Sequence, residues 1–187
     1  FDKNKARCSV IKDGGDDPDV THDAEIVVDL ELTAKLNSIE IDGGEGVGRV
    51  TKPGIGLEIG QAAINPIPRK MITENLTLTG KKILEKNGIK VVISVPKGKE
   101  LGPKTDNPRI GIVDGISILG TSGIVIPYST ASFAAAIRQQ IDVVVSMGED
   151  TVILTTGGRS EDYARKILEL PEHSFIQMGD FSGYAIS

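Results

Sequence analysis

From residue 107 onward the sequence predicts an α/β, Rossmann-like unit with a small parallel sheet, behind a first part in which strands and helices are mixed. Three observations carry this prediction. Apolar β-branched runs alternate with helix-period stretches, in the order strand, helix, strand, helix, strand, over the last part of the chain. Two of the strands run into glycine turns, residues 120–123 and 157–159, each ahead of a helix, and open α/β sheets place ligands at such carboxyl ends. A charged stretch with two glycines and two prolines, residues 97–108, separates this unit from the first part. The expected domains are therefore 1–106 and 107–187.

In chain order, residues 6–12 (ARCSVIK) and 24–32 alternate as strands, joined by the turn-rich loop DGGDDPDVTHD. Residues 38–41 form a short strand, followed by five glycines between 41 and 54. Such glycine density costs conformational entropy unless backbone comes close to a ligand or to another strand. Pro66 and Pro68 mark the entry to a weakly patterned helix over 64–76, and residues 80–87 read as a better one, stopped by Gly88. IKVVISVP, residues 89–96, is the clearest strand of the first part.

Ile110, Ile112, Val113, Ile116, Ile118 and Leu119 predict a buried strand bounded by Pro108 and Gly120. Ser129 or Thr130 then caps a helix running to Met147 and stopped by Gly148. Its apolar stripe is Phe133, Ile137, Ile141, Val144 and Val145. A strand over 151–156, a helix over 161–170 ended by Pro171, and a strand over 174–179 complete the unit.

Composition narrows the function. A net charge of −5 with acids and bases interspersed offers no phosphate-tracking surface, so nucleic acid is not an expected partner. No apolar run reaches the ~18 residues a membrane span needs, and one cysteine cannot form an internal disulfide. We expect a cytoplasmic protein, and the sequence leaves an oligomer open. No leader is visible at Phe1, and the start without methionine close to a strand leads us to expect a preceding segment. Aromatics make up 4% of the chain and tryptophan is absent, so a large planar ligand would be gripped mainly by aliphatic surface.

The glycine turn after residue 119 is the first site expectation. Residues 115–122 read G-x-x-x-x-G-T-S, but Thr121 stands where a phosphate-gripping lysine belongs, and G-x-G-x-x-G fails as well. What remains is a small-molecule site on Gly120, Thr121, Ser122 and Gly123, joined by Asp114 and by Thr156, Gly157 and Gly158 of the second turn. In the acidic loop, His22 beside Asp19 suits proton transfer. The aspartates there do not match the calcium-loop spacing, and no metal ligand set is expected. Arg49 and Lys52 in the glycine-rich loop are placed for anions.

Several strings together resemble one family. KDGGDDPDVTHDAEI, GGEGVGRVTKPG, INPIPRKMI, NPRIGIVDGISILGTSGIV, IRQQID and RSEDYARKIL followed by QMGDFSGYA are similar, in order, to the CbiD family of cobalt-precorrin-5B methyltransferases. The resemblance implies an α+β domain followed by an α/β domain. It also implies transfer of a methyl group from S-adenosylmethionine to ring-A carbon 1 of a corrinoid in anaerobic cobalamin biosynthesis, with cobalt present only as part of the substrate. On that basis the glycine turns would hold the donor, Arg49, Lys52, Arg69 and Arg159 would meet corrinoid carboxylates, and His22 with Asp19, or Glu45, would handle a ring proton. The family's opening Thr-Thr-Gly-x-Cys segment and its later Thr-His-Ser part do not occur here, and residues 32–38 look short for it. A corrinoid carrier without donor chemistry and a nicotinamide oxidoreductase are the competing readings.

Overall fold

The computed structural model describes residues 3–186. Its centre is a four-stranded mixed sheet of β1 (Lys5–Ile11), β2 (Glu25–Thr33), β5 (Gly88–Ser94) and β3 (Ile39–Gly43), in the order β1-β2-β5-β3. β1 and β5 both pair antiparallel with β2, whereas β3 runs parallel to β5. The central position of β5 follows from its composition, since Ile89, Val91 and Ile93 are all buried. Each such side chain contributes roughly 1.5–3 kcal/mol relative to exposure. β1 lies at the sheet edge with every residue exposed.

One face of the sheet is covered by α1 (Pro66–Thr79), which sends Ile72 and Leu76 onto the core of Val91, Ile93, Val95 and Ile64. This helix starts two residues later and ends three residues later than its weak pattern predicts. Pro66 pre-sets the first turn and Ile72 and Leu76 seat the helix on the sheet core, while Thr73, Asn75, Thr77 and Thr79 satisfy their own side chains on the carbonyl four residues back. The helix expected over 80–87 shrinks to α2 (Lys81–Leu84).

The largest departure concerns the strand expected over 110–119. Only β6 (Ile112–Val113) is extended, paired antiparallel with β4 (Arg49–Val50). Single bridges then join Ile116 to Val47 and Ile118 to Ile64. Gly111 and Asp114 adopt positive φ, of 76° and 61°, and break the run. The buried Asn107 pins residues 115–117, donating from Nδ2 to the Gly115 carbonyl at 3.1 Å and accepting from Ser117 Oγ at 2.9 Å. The segment therefore interleaves with residues 43–64.

That interleaving explains the glycines. Gly98 opens the short α3 (Gly98–Leu101), and a Cβ there would overlap the Gly46 carbonyl oxygen. A Cβ at Gly46 would overlap the Val95 carbonyl oxygen, and one at Gly115 would overlap the Gly46 oxygen and lie 2.6 Å from Gly48 N. At this crossing the glycine-rich loop lies against backbone.

Beyond residue 118, α4 (Thr130–Ser146) is capped by Ser129, whose hydroxyl accepts from Ser132 N–H at 3.2 Å. It packs against β7 (Ile153–Thr155) and β8 (Phe175–Gln177), two parallel strands joined through α5 (Gly158–Ile167). α6 (Ser182–Ile186) closes the described chain. β6 joins β4 instead of β7 or β8, so among the described residues the parallel sheet has two strands where three were expected. The predicted stripe on α4 is also redistributed. Ile137 and Val144 are buried against Ile176, Val143 enters a separate core with Val50, Ile55, Ile110 and Ile112, and Val145 faces outward.

Candidate functional site

A cavity of about 990 Å³ opens where the acidic loop of the first part meets the stretch after the glycine turn. One wall carries Lys12, Asp13, Asp17 and Asp19 from the loop after β1. Leu119, Ile124, Ile126 and Phe133 supply an apolar wall, joined by Phe181 after β8 and, from the first part, by Val10, Ile11 and Ile26. The Phe133 and Phe181 rings lie 5.0 Å apart, tilted by 36°. Tyr128 lines the cavity too, so two of the four phenylalanines and one of the three tyrosines gather here. The 4% aromatic content gave no hint of that concentration.

The acidic loop is ordered from within. Asp19 accepts from Lys12 Nζ, from Thr21 N–H at 2.7 Å and from Thr21 Oγ1 at 2.7 Å. Burial acts to raise the Asp19 pKa, but the hydrogen bonds from Lys12 and Thr21 outweigh it and hold the carboxyl below the ordinary aspartate range. His22 does not pair with the Asp19 carboxylate. Its Nδ1 accepts the Gly14 N–H at 2.9 Å, and its Nε2 lies 3.5 Å from Asp23 Oδ1. In the neutral ring that arrangement engages the lone pair at Nδ1 and leaves the proton on Nε2. Glu45 is exposed, and its backbone carbonyl accepts from Val95 N–H. Neither Glu45 nor the His22 side chain lines the cavity.

Of the residues expected around the glycine turns, Gly123 lines the cavity. Gly120, Thr121 and Ser122 precede it in the same exposed segment, where the Ser122 hydroxyl bonds to the Ile124 backbone. Asp114 points elsewhere and faces Lys99 at 3.6 Å. Thr156, Gly157 and Gly158 lie at the end of β7 and the start of α5, outside the cavity, where Ser160 Oγ bonds to Thr156 Oγ1 and to the Gly157 backbone.

Three of the four basic residues already have partners. Arg49 pairs with Asp42 Oδ1 at 2.9 Å and donates to the Gly43 carbonyl. Lys52 Nζ donates to the Arg109 carbonyl at 3.3 Å; burial lowers its pKa and nearby Glu172 works the other way. Arg69 donates to the carbonyls of Ile64 at 2.9 Å and Ile41 at 2.7 Å. It thereby ties α1 to β3. Replacing Arg69 by Met should cost about 1.5–3 kcal/mol by leaving these carbonyls without their charged donor. Chemical denaturation of the full-length protein checks this. Arg159 is exposed and has no hydrogen-bond or ion-pair partner among the described residues.

Sequence reasoning missed a buried charge cluster outside the cavity. Glu161 on α5 is 3% exposed and accepts from Arg109 Nη1 at 3.0 Å, from Arg165 Nε at 2.9 Å and from Gln177 Nε2 at 2.7 Å. Arg109 also donates to the Phe175 carbonyl, and Arg165 stacks over the Phe175 ring at 5.1 Å. Burial pushes the Glu161 pKa up, but the bonds from Arg109, Gln177 and Arg165 outweigh it and leave it lowered. Glu161 and Arg165 stand one turn apart in the sequence, a helix pair whose only visible signal is the spacing.

Among the described residues no group of three His, Cys, Asp or Glu converges as a metal site. No described helix is long and apolar enough to cross a membrane.

Known proteins resemble this chain along its length. A family model described as CbiD matches residues 1–127. The chain is 54% identical over 185 residues to the cobalt-precorrin-5B C(1)-methyltransferase of Geobacillus sp. (strain WCH70), covering 96% of this chain and 49% of that protein. It is 55% identical over 184 residues to the protein of the same description from Leptospira interrogans serogroup Icterohaemorrhagiae serovar Lai (strain 56601), covering 97% and 49%. A solved structure described as the cobalamin biosynthesis protein (cbiD) from Archaeoglobus fulgidus is 27% identical, with a TM-score of 0.48, and the match covers 98% of this chain and 57% of that one. The chain spans about half the length of the curated relatives it matches.

Proposed function

The chain belongs to the CbiD family, and on that premise we propose that it forms part of an S-adenosylmethionine-dependent methyltransferase acting on ring-A carbon 1 of cobalt-precorrin-5B. The observation that carries this reading is identity of 52–55% to proteins described as cobalt-precorrin-5B C(1)-methyltransferases, over 96–100% of this chain. The reaction forms a bond between the ring carbon and the methyl carbon, breaks the methyl–sulfur bond with its electron pair remaining on sulfur, and releases a proton from the corrinoid. S-adenosylmethionine supplies the electrophilic methyl group when bound. Positioning and exclusion of water would provide most of the rate.

The cavity suits a donor of this kind. Its size falls at the upper end of the roughly 300–1,000 Å³ typical of small-molecule sites. The apolar wall of Leu119, Ile124, Ile126 and Phe133 would take the adenosyl and thioether parts. The carboxylates of Asp13, Asp17 and Asp19 favour a ligand of net positive charge over a polycarboxylate corrinoid. We therefore place the donor between the acidic loop and Gly123, with Gly120, Thr121 and Ser122 on its rim. The corrinoid would lie outside, where Arg159, the one of the four expected basic residues with no partner among the described residues, could meet its carboxylates. Residues from Leu119 onward would form the donor-side unit, later than the composition boundary suggests, with β7, α5 and β8 as a Rossmann-like fragment.

His22, Asp19 and Glu45 fit a structural role better than a proton-accepting one, because His22 has its lone pair engaged, Asp19 is held by Lys12 and Thr21, and Glu45 lies off the cavity. His22→Ala should accordingly leave kcat within about threefold, well short of the 10²–10⁴-fold typical of a lost general base. A steady-state assay of the full-length variant checks this. The reading as a whole is tested by supplying the full-length protein with cobalt-precorrin-5B and methyl-labelled donor. One label should enter the corrinoid per turnover, and absence of labelled product would sink the proposal.

A further inference from the structure

The stretch from Leu119 to Tyr128 has an unusual composition for its situation. Leu119, Ile124, Ile126 and Tyr128 are between 69% and 78% exposed, yet most of the segment lines the cavity. Gly120, Gly123 and Tyr128 adopt positive φ, of 127°, 75° and 54°, so the backbone turns sharply three times within it. It is fixed at one end, where Ile118 bridges to Ile64, and at the other, where Ser129 caps α4. Between these ends, among the described residues, one hydrogen bond reaches the segment from elsewhere in the chain: Tyr128 N–H donates to Asp17 Oδ1 at 2.9 Å, across 111 positions of sequence. Asp17 is itself held, since its own N–H donates to the Gly14 carbonyl within the acidic loop.

We propose that Asp17 is a positioning residue, whose carboxylate ties residues 119–128 to the acidic loop and so sets the apolar wall of the cavity. The inference rests on the donor-site reading above. A charge-assisted bond to backbone N–H is among the stronger single contacts a loop can have, and a non-glycine residue in the left-handed region needs such over-determination to stay there. Loss of the bond would free the segment without disturbing any of the three hydrophobic cores, because none of its residues belongs to them. The effect should therefore fall on donor binding and KM, leaving kcat nearly unchanged.

The test uses the full-length protein with Asp17→Ala and Asp17→Asn. Asn keeps an oxygen able to accept from Tyr128, whereas Ala removes it. Two measurements are made: amide exchange at Tyr128, and S-adenosylhomocysteine affinity by calorimetry together with KM and kcat for the donor. Asp17→Ala should speed Tyr128 exchange and weaken binding, each by about tenfold, and Asp17→Asn should restore the exchange to within about threefold and recover part of the affinity, the remainder being the lost charge. Equal Tyr128 exchange in wild type and Asp17→Ala would overturn the tether. A tenfold fall in kcat with unchanged donor affinity would overturn the positioning role in favour of direct participation. If wild type shows a protected Tyr128 amide but no S-adenosylhomocysteine binding, the donor-site reading fails while the tether stands.

Discussion

Gly115→Ala should destabilise the full-length protein by about 3 kcal/mol or more, enough to abolish soluble expression if the parent is of ordinary stability. The reason lies in the backbone crossing. The added methyl would overlap the Gly46 carbonyl oxygen and approach Gly48 N to 2.6 Å, and backbone cannot swing aside as a side-chain tip does. Gly115 is further fixed by Asn107 Nδ2 on its own carbonyl, so relief by movement of residues 107–117 would break that bond too. Gly46 is anchored through the Ile116 N–H that donates to its carbonyl. A suitable control is Gly183→Ala on α6, where nothing lies within 4 Å of the new Cβ, and which should be neutral or stabilising by about 0.5 kcal/mol. Urea unfolding of the two variants side by side measures the difference.

The second large effect is expected at Glu161. Replacing it with Ala leaves Arg109 and Arg165 facing each other without their shared carboxylate and should cost about 3 kcal/mol, the lower end for a broken buried pair because both arginines are partly exposed. The same group gives a pH signature. The Glu161 pKa is lowered in the folded protein relative to about 4.3 in the unfolded chain. Its contribution is then fully present above the unfolded value and is lost as pH falls through the lower folded value. Wild type should therefore lose stability on acidification below about pH 4 more steeply than Glu161→Gln, which has no charge to lose. Thermal melts across roughly pH 3–7 compare the two slopes.

How much of this could be read from the chain alone varied with the length scale of the cause. The strands β1, β2 and β5 and the capped helix α4 were legible because alternation, helical period and Ser129 are local signals. The fate of residues 110–119 was not, since an apolar β-branched run says that it is buried and not what it pairs with. Its partner is β4, two residues of a glycine-rich loop, and the break in the run comes from Gly111 and Asp114 at positive φ. The acidic loop and the glycine turn were both singled out, but their meeting across one cavity depends on tertiary placement. Arg49 and Arg69 looked available for anions because sequence does not reveal the Asp42 carboxylate and the carbonyls that occupy them. Val143 and Val145 exchanged their expected places because α4 touches two cores, whereas a single apolar stripe presumes one.

The walls of the cavity come from residues 10–26 and 119–136 together with Phe181, and the first two stretches are joined by a bond that spans 111 positions. Contacts so distant in sequence form late in folding, after helices such as α1 and α4 are able to appear, because the loop-closure entropy must be met first. A ligand that binds this cavity in the folded chain and not in the unfolded one raises the melting temperature, the more so the higher its occupancy.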